Sequence, residues 1–321
     1  MDIRRESVLK NIKQSLKKTI LYRAFLWIEW QEGKRFPIRK AKRNYKKVFN
    51  KELNLENPQA LTEKINWLKL FDYPKNPLVI LAGDKWGLRT FLEERGLSYL
   101  STPVLFVYDS IDEICWDSLP EKFAIKKSNA SAFNILITKK DEADEKEVKE
   151  MIKRWLKTPF GYLTGEHHYE KMQPKIIVEK FIENIGKEWR IICINGKPEV
   201  LQTALWAGGH EESNKAGRLE RGLIYSDFDG RILGVWDCQI EGVRESYVIG
   251  EKLNLPSDFP EMLELSTVLS KDFPFVRVDF FHGENRLILG ELTFTPANGF
   301  GKYPESILNN LGEKLILPKQ L

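Results

Sequence analysis

The chain has 321 residues, 42% of them hydrophobic, 30% charged and 12% aromatic. That mixture excludes a disordered chain and is long enough for two or three lobes. The net charge of +4 is uneven: residues 1–50 hold 15 Lys and Arg against 4 Asp and Glu, a net of +11, which leaves −7 on the other 271 residues.

Cys115, Cys193 and Cys238 form no CxxC pair, and an odd count closes no disulfide framework, so a reduced, cytoplasmic protein is expected. Four histidines argue against a multi-histidine zinc site. No run approaches the ~18 apolar residues of a spanning helix. The nearest, 20–30, is broken by Arg23 and Glu29, and no small-residue cleavage site follows an apolar run near the start.

In chain order, Leu9, Ile12, Leu16, Ile20, Ala24 and Ile28 recur at helical spacing with Lys10, Lys13, Lys17 and Lys18 between them. Residues 8–28 therefore read as a basic amphipathic helix. A second basic stretch, KRFPIRKAKRNYKKVFNK, occupies 34–51. Two readings stay open for this segment: peripheral attachment to an anionic membrane or glycan surface, or a helix packed on the body with solvated lysines. Nucleic-acid binding is not expected, because no recognition module follows the basic run.

Residues 61–70 predict a helix capped by Thr62, and 78–96 a helix closed by Gly96. Strands are predicted at 102–108, 123–127 and 134–139, a charged helix at 141–156, and further strands at 175–182, 189–194 and 198–205. Asn195-Gly196 signals a type I′ hairpin, and Asp229-Gly230 a second hairpin within a strand-rich stretch, 218–244. A helix at 259–270 precedes two strands, 275–281 and 286–294, around HGEN. The class is α+β with antiparallel sheets.

The last two strands carry the strongest chemical signal. Pairing His282 with Arg286 sets Asp279 opposite Leu289 and Glu291 opposite Arg277. Strand alternation then places Arg277, Asp279, Glu291 and Thr293 on one face, with apolar residues on the other. Two acids in that arrangement suit Mg²⁺ bridging nucleotide phosphates. The same hairpin also accommodates a surface strand in which Arg277 simply pairs with Glu291. Lys126, near the end of FAIKK, precedes a small-residue loop, SNASAFN, that can cradle phosphate with its amides. IIVEKFIEN at 176–184 reads as a hinge that can hydrogen-bond a purine edge through its backbone.

The order of these elements resembles the ATP-grasp superfamily, and within it the TupA-like group linked to teichuronopeptide and surface-polysaccharide biosynthesis. The likeness spans about 61–318 and rests on INWLKLFD (65–72), GDKWGLR (83–89), IIVEKFIEN, NGKP (195–198), LSKDFPFVRVDFF (269–281) and GELTFTPANGF (290–300). It implies an ATP-grasp fold of two α+β lobes clasping ATP. Four regions follow: a basic extension over 1–60, an N-terminal subdomain over 61–120, a lid with the adenine hinge over 121–185, and a C-terminal subdomain with the Mg²⁺ site over 186–321.

By the same resemblance, Lys85 and Lys126 would hold the ATP phosphates, with Ser128 and Ser131 in the phosphate loop. Glu179, Lys180, Phe181 and Ile182 would form the adenine hinge, Glu179 meeting the exocyclic amine. Asp279, Glu291 and Thr293 would serve Mg²⁺. Arg277 would stabilise the transferring phosphoryl group and Arg190 would contact the γ-phosphate. Arg221, Tyr225 and Asn298 would meet substrate. The group's phosphate loop tends to be rich in glycine, whereas residues 128–133 contain none. Many ATP-grasp enzymes place Asn where this chain has Thr293.

The implied activity is ATP-dependent ligation of a carboxylate to an amine through an acyl phosphate, on a uronic acid or amino acid of a surface polymer. Phosphorylation of a glycan hydroxyl, or a non-catalytic nucleotide-binding scaffold, are the alternatives.

Overall fold

The computed structural model describes residues 20–183, 185, 187–206, 221–236 and 249–319. The chain opens with α1 (Ile20–Arg35) and α2 (Pro37–Phe49), separated where Pro37 begins the second helix. Residues 8–19 of the expected amphipathic helix lie outside the described residues. The basic run of α2 folds back on α1. Lys40, almost fully buried, donates to the Glu29 carbonyl at 2.7 Å and pairs with its carboxylate at 3.0 Å. Arg43 reaches Glu29 at 2.8 Å, and Arg39 reaches Glu32 at 3.2 Å. The Tyr45 hydroxyl lies 3.0 Å from Thr62 Oγ1, tying α2 to the body.

Next come α3 (Leu61–Trp67), extended by a π turn over Leu68–Asp72, then α4 (Pro77–Gly83) and α5 (Gly87–Glu93). Thr62 is not the cap of α3. The helix starts at Ala60, and the Glu63 carboxylate accepts from the Gln59 and Ala60 amides at 2.9 and 3.1 Å. The single helix expected over 78–96 is two helices broken at Asp84-Lys85-Trp86. The Asp84 carboxylate accepts from Gly87 N–H at 2.8 Å and starts α5. Gly87 is required there, because a Cβ would lie 2.4 Å from the Leu81 carbonyl oxygen.

A four-stranded antiparallel sheet follows, built from β1 (Val104–Tyr108), β2 (Phe123–Lys127), β3 (Asn134–Ile137) and β4 (Ile176–Lys180) in the order β1-β4-β2-β3. Strand β1, read above with the segment 61–120, thus belongs to the sheet of 121–185. Helix α6 (Glu145–Lys157) covers it with Val148 and Ile152, packed among Phe123, Ile125 and Val178. Asp144 caps α6 by accepting from Glu147 N–H at 3.0 Å. The short helix α7 (Phe160–Thr164) leads back to β4.

The larger sheet has six antiparallel strands: β5 (Glu188–Ile194), β6 (Lys197–Trp206), β7 (Arg221–Ser226), β8 (Ile232–Trp236), β9 (Phe275–Gly283) and β10 (Arg286–Thr293), ordered β10-β9-β5-β6-β7-β8. Helix α8 (Phe259–Ser270) supplies Met262, Leu265 and Leu269 to its core. Helix α9 (Glu305–Lys314) closes the chain, and Lys64 of α3 donates to the carbonyls of Gly312 and Leu315 at its end, both at 2.7 Å. Side chains of α3, α4 and α5 join this same core. Asn195 and Gly196, at φ 48° and 77°, make the type I′ turn between β5 and β6. The turn after β7 places only Gly230 at positive φ (83°).

Candidate active site

The β9–β10 hairpin turns at Glu284-Asn285, both left-handed at φ 53° and 59°, and pairs Gly283 with Arg286. The register then shifts at Gly290. Asp279 therefore stands opposite Glu291, not Leu289, and Thr293 opposite Arg277. The expected register is wrong because the turn holds two residues and a bulge follows. The expected face survives, since directly opposed residues share a side of the sheet.

The register extends across the sheet. Arg190 of β5 stands opposite Asp279, Gln202 of β6 opposite Arg190, and Tyr225 of β7 opposite Gln202. One transverse row of polar side chains thus crosses five strands: Glu291, Asp279, Arg190, Gln202 and Tyr225. Arg277 grips Asp279 with two hydrogen bonds, Nε to Oδ1 at 2.7 Å and Nη2 to Oδ2 at 2.5 Å. Thr293 Oγ1 donates to Glu291 Oε1 at 2.8 Å and lies 3.3 Å from Asp279 Oδ2. Arg190 pairs with Glu188 and comes within 3.9 Å of Asp279. Gln202 donates to the Tyr225 hydroxyl at 2.8 Å.

A cavity of about 460 Å³ opens over this face, within the range of small-molecule sites. Lys85 enters it from the break between α4 and α5. Its ammonium donates to the Ala130 carbonyl of the 128–133 loop, and its backbone N–H donates to the Ser128 carbonyl at 3.1 Å. Burial draws the Lys85 ammonium below its usual range, against the opposing pull of Glu291. Conversely, Lys85 and Arg277 outweigh desolvation and hold the Glu291 carboxyl low. Burial pushes the Asp279 carboxyl up despite Arg277 and Arg190, so further positive charge would stabilise its ionised form.

Arg190, Arg277, Thr293 and Tyr225 line the same cavity, as do Asn298 and Ser131. Ser128 does not: its fully buried hydroxyl accepts from Lys175 N–H at 3.0 Å and donates to the Gln173 carbonyl at 3.4 Å, so it fixes the loop to the chain entering β4. The loop turns without glycine by placing Ala132 at φ 62°. The Arg221 side chain and Cys238 lie outside the described residues.

At the smaller sheet, Lys126 pairs with Glu179 at 2.5 Å, and Arg89 pairs with the same carboxylate at 2.5 Å. Burial works to raise the Glu179 carboxyl, but these two cations prevail and hold it low. The carboxylate expected to meet the adenine amine is thus occupied, and the other residues expected of the hinge lie at the end of β4 and just beyond it. There Lys180 pairs with Glu284 at 3.0 Å, Phe181 is half-buried, and Ile182 is buried against Gly283.

Several residues of the cavity went unread in the sequence: Gln202, Glu166, Tyr169, Thr295, Lys302 and Tyr303. Thr295 shares the parity of Glu291 and Thr293, and alternation would have found it. The others carry no local signal.

Among the described residues no group of three or more His, Cys, Asp or Glu could hold a metal. Asp279 and Glu291 are two hard carboxylates side by side. Mg²⁺ is commonly held by one or two carboxylates, with substrate phosphates and water completing its shell, so this donor set fits Mg²⁺ only together with a nucleotide.

No curated protein matches the chain. Among solved structures, it is similar to D-alanine–D-alanine ligase from Bacillus anthracis complexed with ATP, at 14% identity and a TM-score of 0.38, over 67% of this chain and 55% of that one. It is also similar to D-alanine–D-alanine ligase from Helicobacter pylori, at 16% and 0.39, over 74% and 62%. With N5-carboxyaminoimidazole synthetase from Staphylococcus aureus the figures are 16% and 0.33, over 66% and 44%. The chain thus spans less than two thirds of each of these proteins' length. The model of the TupA-like ATP-grasp family matches residues 63–207 and 232–316, which contain Lys85, Lys126, Arg190, Arg277, Asp279 and Glu291. The chain belongs to the TupA-like ATP-grasp family.

Proposed function

We propose that this chain is a Mg²⁺- and ATP-dependent carboxylate–amine ligase. One observation carries the reading: Glu291 lines one cavity with Arg277, Arg190 and Lys85, and Asp279 stands directly opposite Glu291, held by Arg277. Phosphoryl transfer needs positioning and charge neutralisation more than a protein nucleophile, and that set supplies both. ATP lies between the sheets, with its base at residues 179–182 and its phosphates toward Lys85, Lys126 and the 128–133 loop. Asp279 and Glu291 would hold Mg²⁺, with Thr293 orienting Glu291, and the ion would supply neutralisation of phosphate charge. Lys85 exchanges its Ala130 carbonyl for a phosphate oxygen. Arg190 and Arg277 then face the carboxylate as its oxygen attacks the γ-phosphorus and ADP leaves. An amine displaces phosphate from the acyl phosphate and forms the amide. Tyr225 and Asn298 line the substrate side.

The family resemblance supports a uronic acid or amino acid of a cell-surface polysaccharide as substrate. Residues 20–50 expose Phe25, Trp27, Ile28 and Phe36 beside Lys34, Arg35 and Arg39, which suits docking on an anionic membrane surface. No helix of the described residues is long and apolar enough to cross a membrane.

The test is incubation with ATP, Mg²⁺, uronates and amino acids, measuring ADP and amide together. Amine-dependent ADP release with amide formed is the expected result. A stable phosphorylated product that needs no amine would replace the ligase with a kinase. ATP binding without any ADP release would leave a scaffold protein.

A further inference from the structure

One carboxylate on the cavity wall has no task in the reaction just described. Glu166 follows α7, lines the cavity and is 3% exposed. Its Oε1 accepts a hydrogen bond from Thr295 Oγ1. Its Oε2 is buried with no hydrogen-bond partner. A half-satisfied buried carboxylate is costly unless a ligand completes it.

The nearest internal cation does not complete it. Lys69 is fully buried and within electrostatic reach of Glu166. Its ammonium instead donates to the Asn298 carbonyl at 2.7 Å and sits 4.3 Å over the Phe300 ring. No ion pair within 4.0 Å joins Lys69 and Glu166 among the described residues. A metal is not the complement either, since Glu166 forms no metal-capable cluster with its neighbours among those residues.

The position relative to the reaction is defined by β10 and its continuation. Glu291 and Thr293 end β10, and Thr295 lies in the bend just beyond it. Thr293 hydrogen-bonds Glu291, and two residues later Thr295 hydrogen-bonds Glu166. The metal-side acid and the unsatisfied acid are thus tied to the same strand and the bend that follows it. Tyr169 lies between them, its hydroxyl pushed well up by burial and by Glu166, Glu291 and Asp84. Arg277, Arg190 and Lys302 supply the positive charge of the cavity away from Lys85. A ligand with a cationic nitrogen is matched by Glu166, and its anionic end by these cations.

We propose that Glu166 Oε2, steadied by Thr295, is a binding subsite for a primary ammonium group, which places the amine partner of the ligation beside the transferring centre. This rests on the ligase reading for its purpose, though not for its chemistry. Burial raises the Glu166 carboxyl against Thr295, Thr164 and Lys69, which is the condition a bound ammonium would relieve.

The experiment titrates ethylammonium into the full chain, with and without Mg-ADP, followed by saturation-transfer NMR, and measures ADP affinity separately. The wild type is expected to bind ethylammonium, and Glu166→Gln to weaken it at least ten-fold with ADP affinity unchanged. Thr295→Val should weaken ethylammonium by a smaller factor. Equal affinity in wild type and Glu166→Gln, or no binding by the wild type, overturns the subsite. Should Glu166→Gln fail to fold, a wild-type crystal soaked in ethylammonium decides: nitrogen within hydrogen-bond distance of Oε2 supports the subsite, and any other position overturns it. Ethylammonium binding that depends on Glu166 in a protein that binds no ADP would remove the nucleotide reading and keep the subsite.

Discussion

The two sheets arrange their charged side chains in different ways. In the larger sheet, charged and polar side chains share one face of strands whose other face is core: Val276, Val278 and Phe280 are fully buried between and beside Arg277 and Asp279. The row from Glu291 to Tyr225 runs across strands, so its spacing is fixed by backbone pairing. In the smaller sheet, neighbouring lysines part company along one strand. Lys126 turns toward Glu179, while Lys127 turns into the core and donates to the Trp155 and Thr158 carbonyls at the end of α6, at 2.8 and 2.9 Å. The first arrangement gives a rigid platform. The second pairs one lysine with Glu179 and gives the other to the fold, and strand alternation alone makes the division.

The platform makes the strongest prediction. Asp279→Asn or Glu291→Gln should cut ADP release by roughly 10²–10³-fold. Glu291→Gln should change thermal stability little, whereas Asp279→Asn should also lower it, because the buried Arg277 loses its counter-charge. Isothermal titration should show Mg²⁺ no longer tightening nucleotide binding. Full turnover in the double variant would dismiss the metal assignment.

The lysine pair can be separated by the same measurements. Lys126→Met should weaken ATP about ten- to hundred-fold, the worth of a charge-assisted hydrogen bond of about 1.5–3 kcal/mol. Lys127→Met should leave ATP affinity unchanged. If Lys127→Met impairs ATP instead, the assignment of faces is reversed.

Lys127 also predicts a pH dependence. Burial holds its ammonium down at about 8 in the folded chain, from an ordinary 10.5. Between those values the unfolded chain binds a proton that the folded chain does not, so this residue's contribution to stability rises with pH across that window. The rise is at most about 3 kcal/mol. Urea unfolding of wild type and Lys127→Met at pH 7.5 and 10 should show the wild type gaining relative to the variant. A constant difference would mean that the lysine is not buried as charged.

These contrasts also mark what could be read from the residues alone. The shared face of Arg277, Asp279, Glu291 and Thr293 was legible, because period-two alternation survives any register. The pairing of Asp279 with Glu291 was not, because the bulge at Gly290 depends on packing rather than on a local pattern. The break after α4 was hidden by a run of apolar residues that suits one long helix, and only the Asp84–Gly87 bond ends it. Glu166 was invisible, since its partner Thr295 lies 129 residues away. Glu179 lies on the expected strand, β4, but its carboxylate is held by Lys126 and by Arg89, whose approach no spacing predicts.

The smallest prediction concerns the loop between β2 and β3. Ala132 sits at φ 62°, where related loops tend to place glycine. A left-handed alanine costs about 1–2 kcal/mol, while glycine costs about 0.5–1 kcal/mol through the greater freedom it brings to the unfolded chain. Relief of strain therefore wins by a narrow margin. Ala132→Gly should raise the melting temperature by about 1–3 °C. The loop backbone already occupies the conformation that glycine would choose, so ATP affinity should stay within two-fold. A large gain in affinity would instead show that the alanine holds the loop away from its nucleotide-bound shape. That outcome would shift the defect from strain, which the fold already carries, to access, which only a glycine restores.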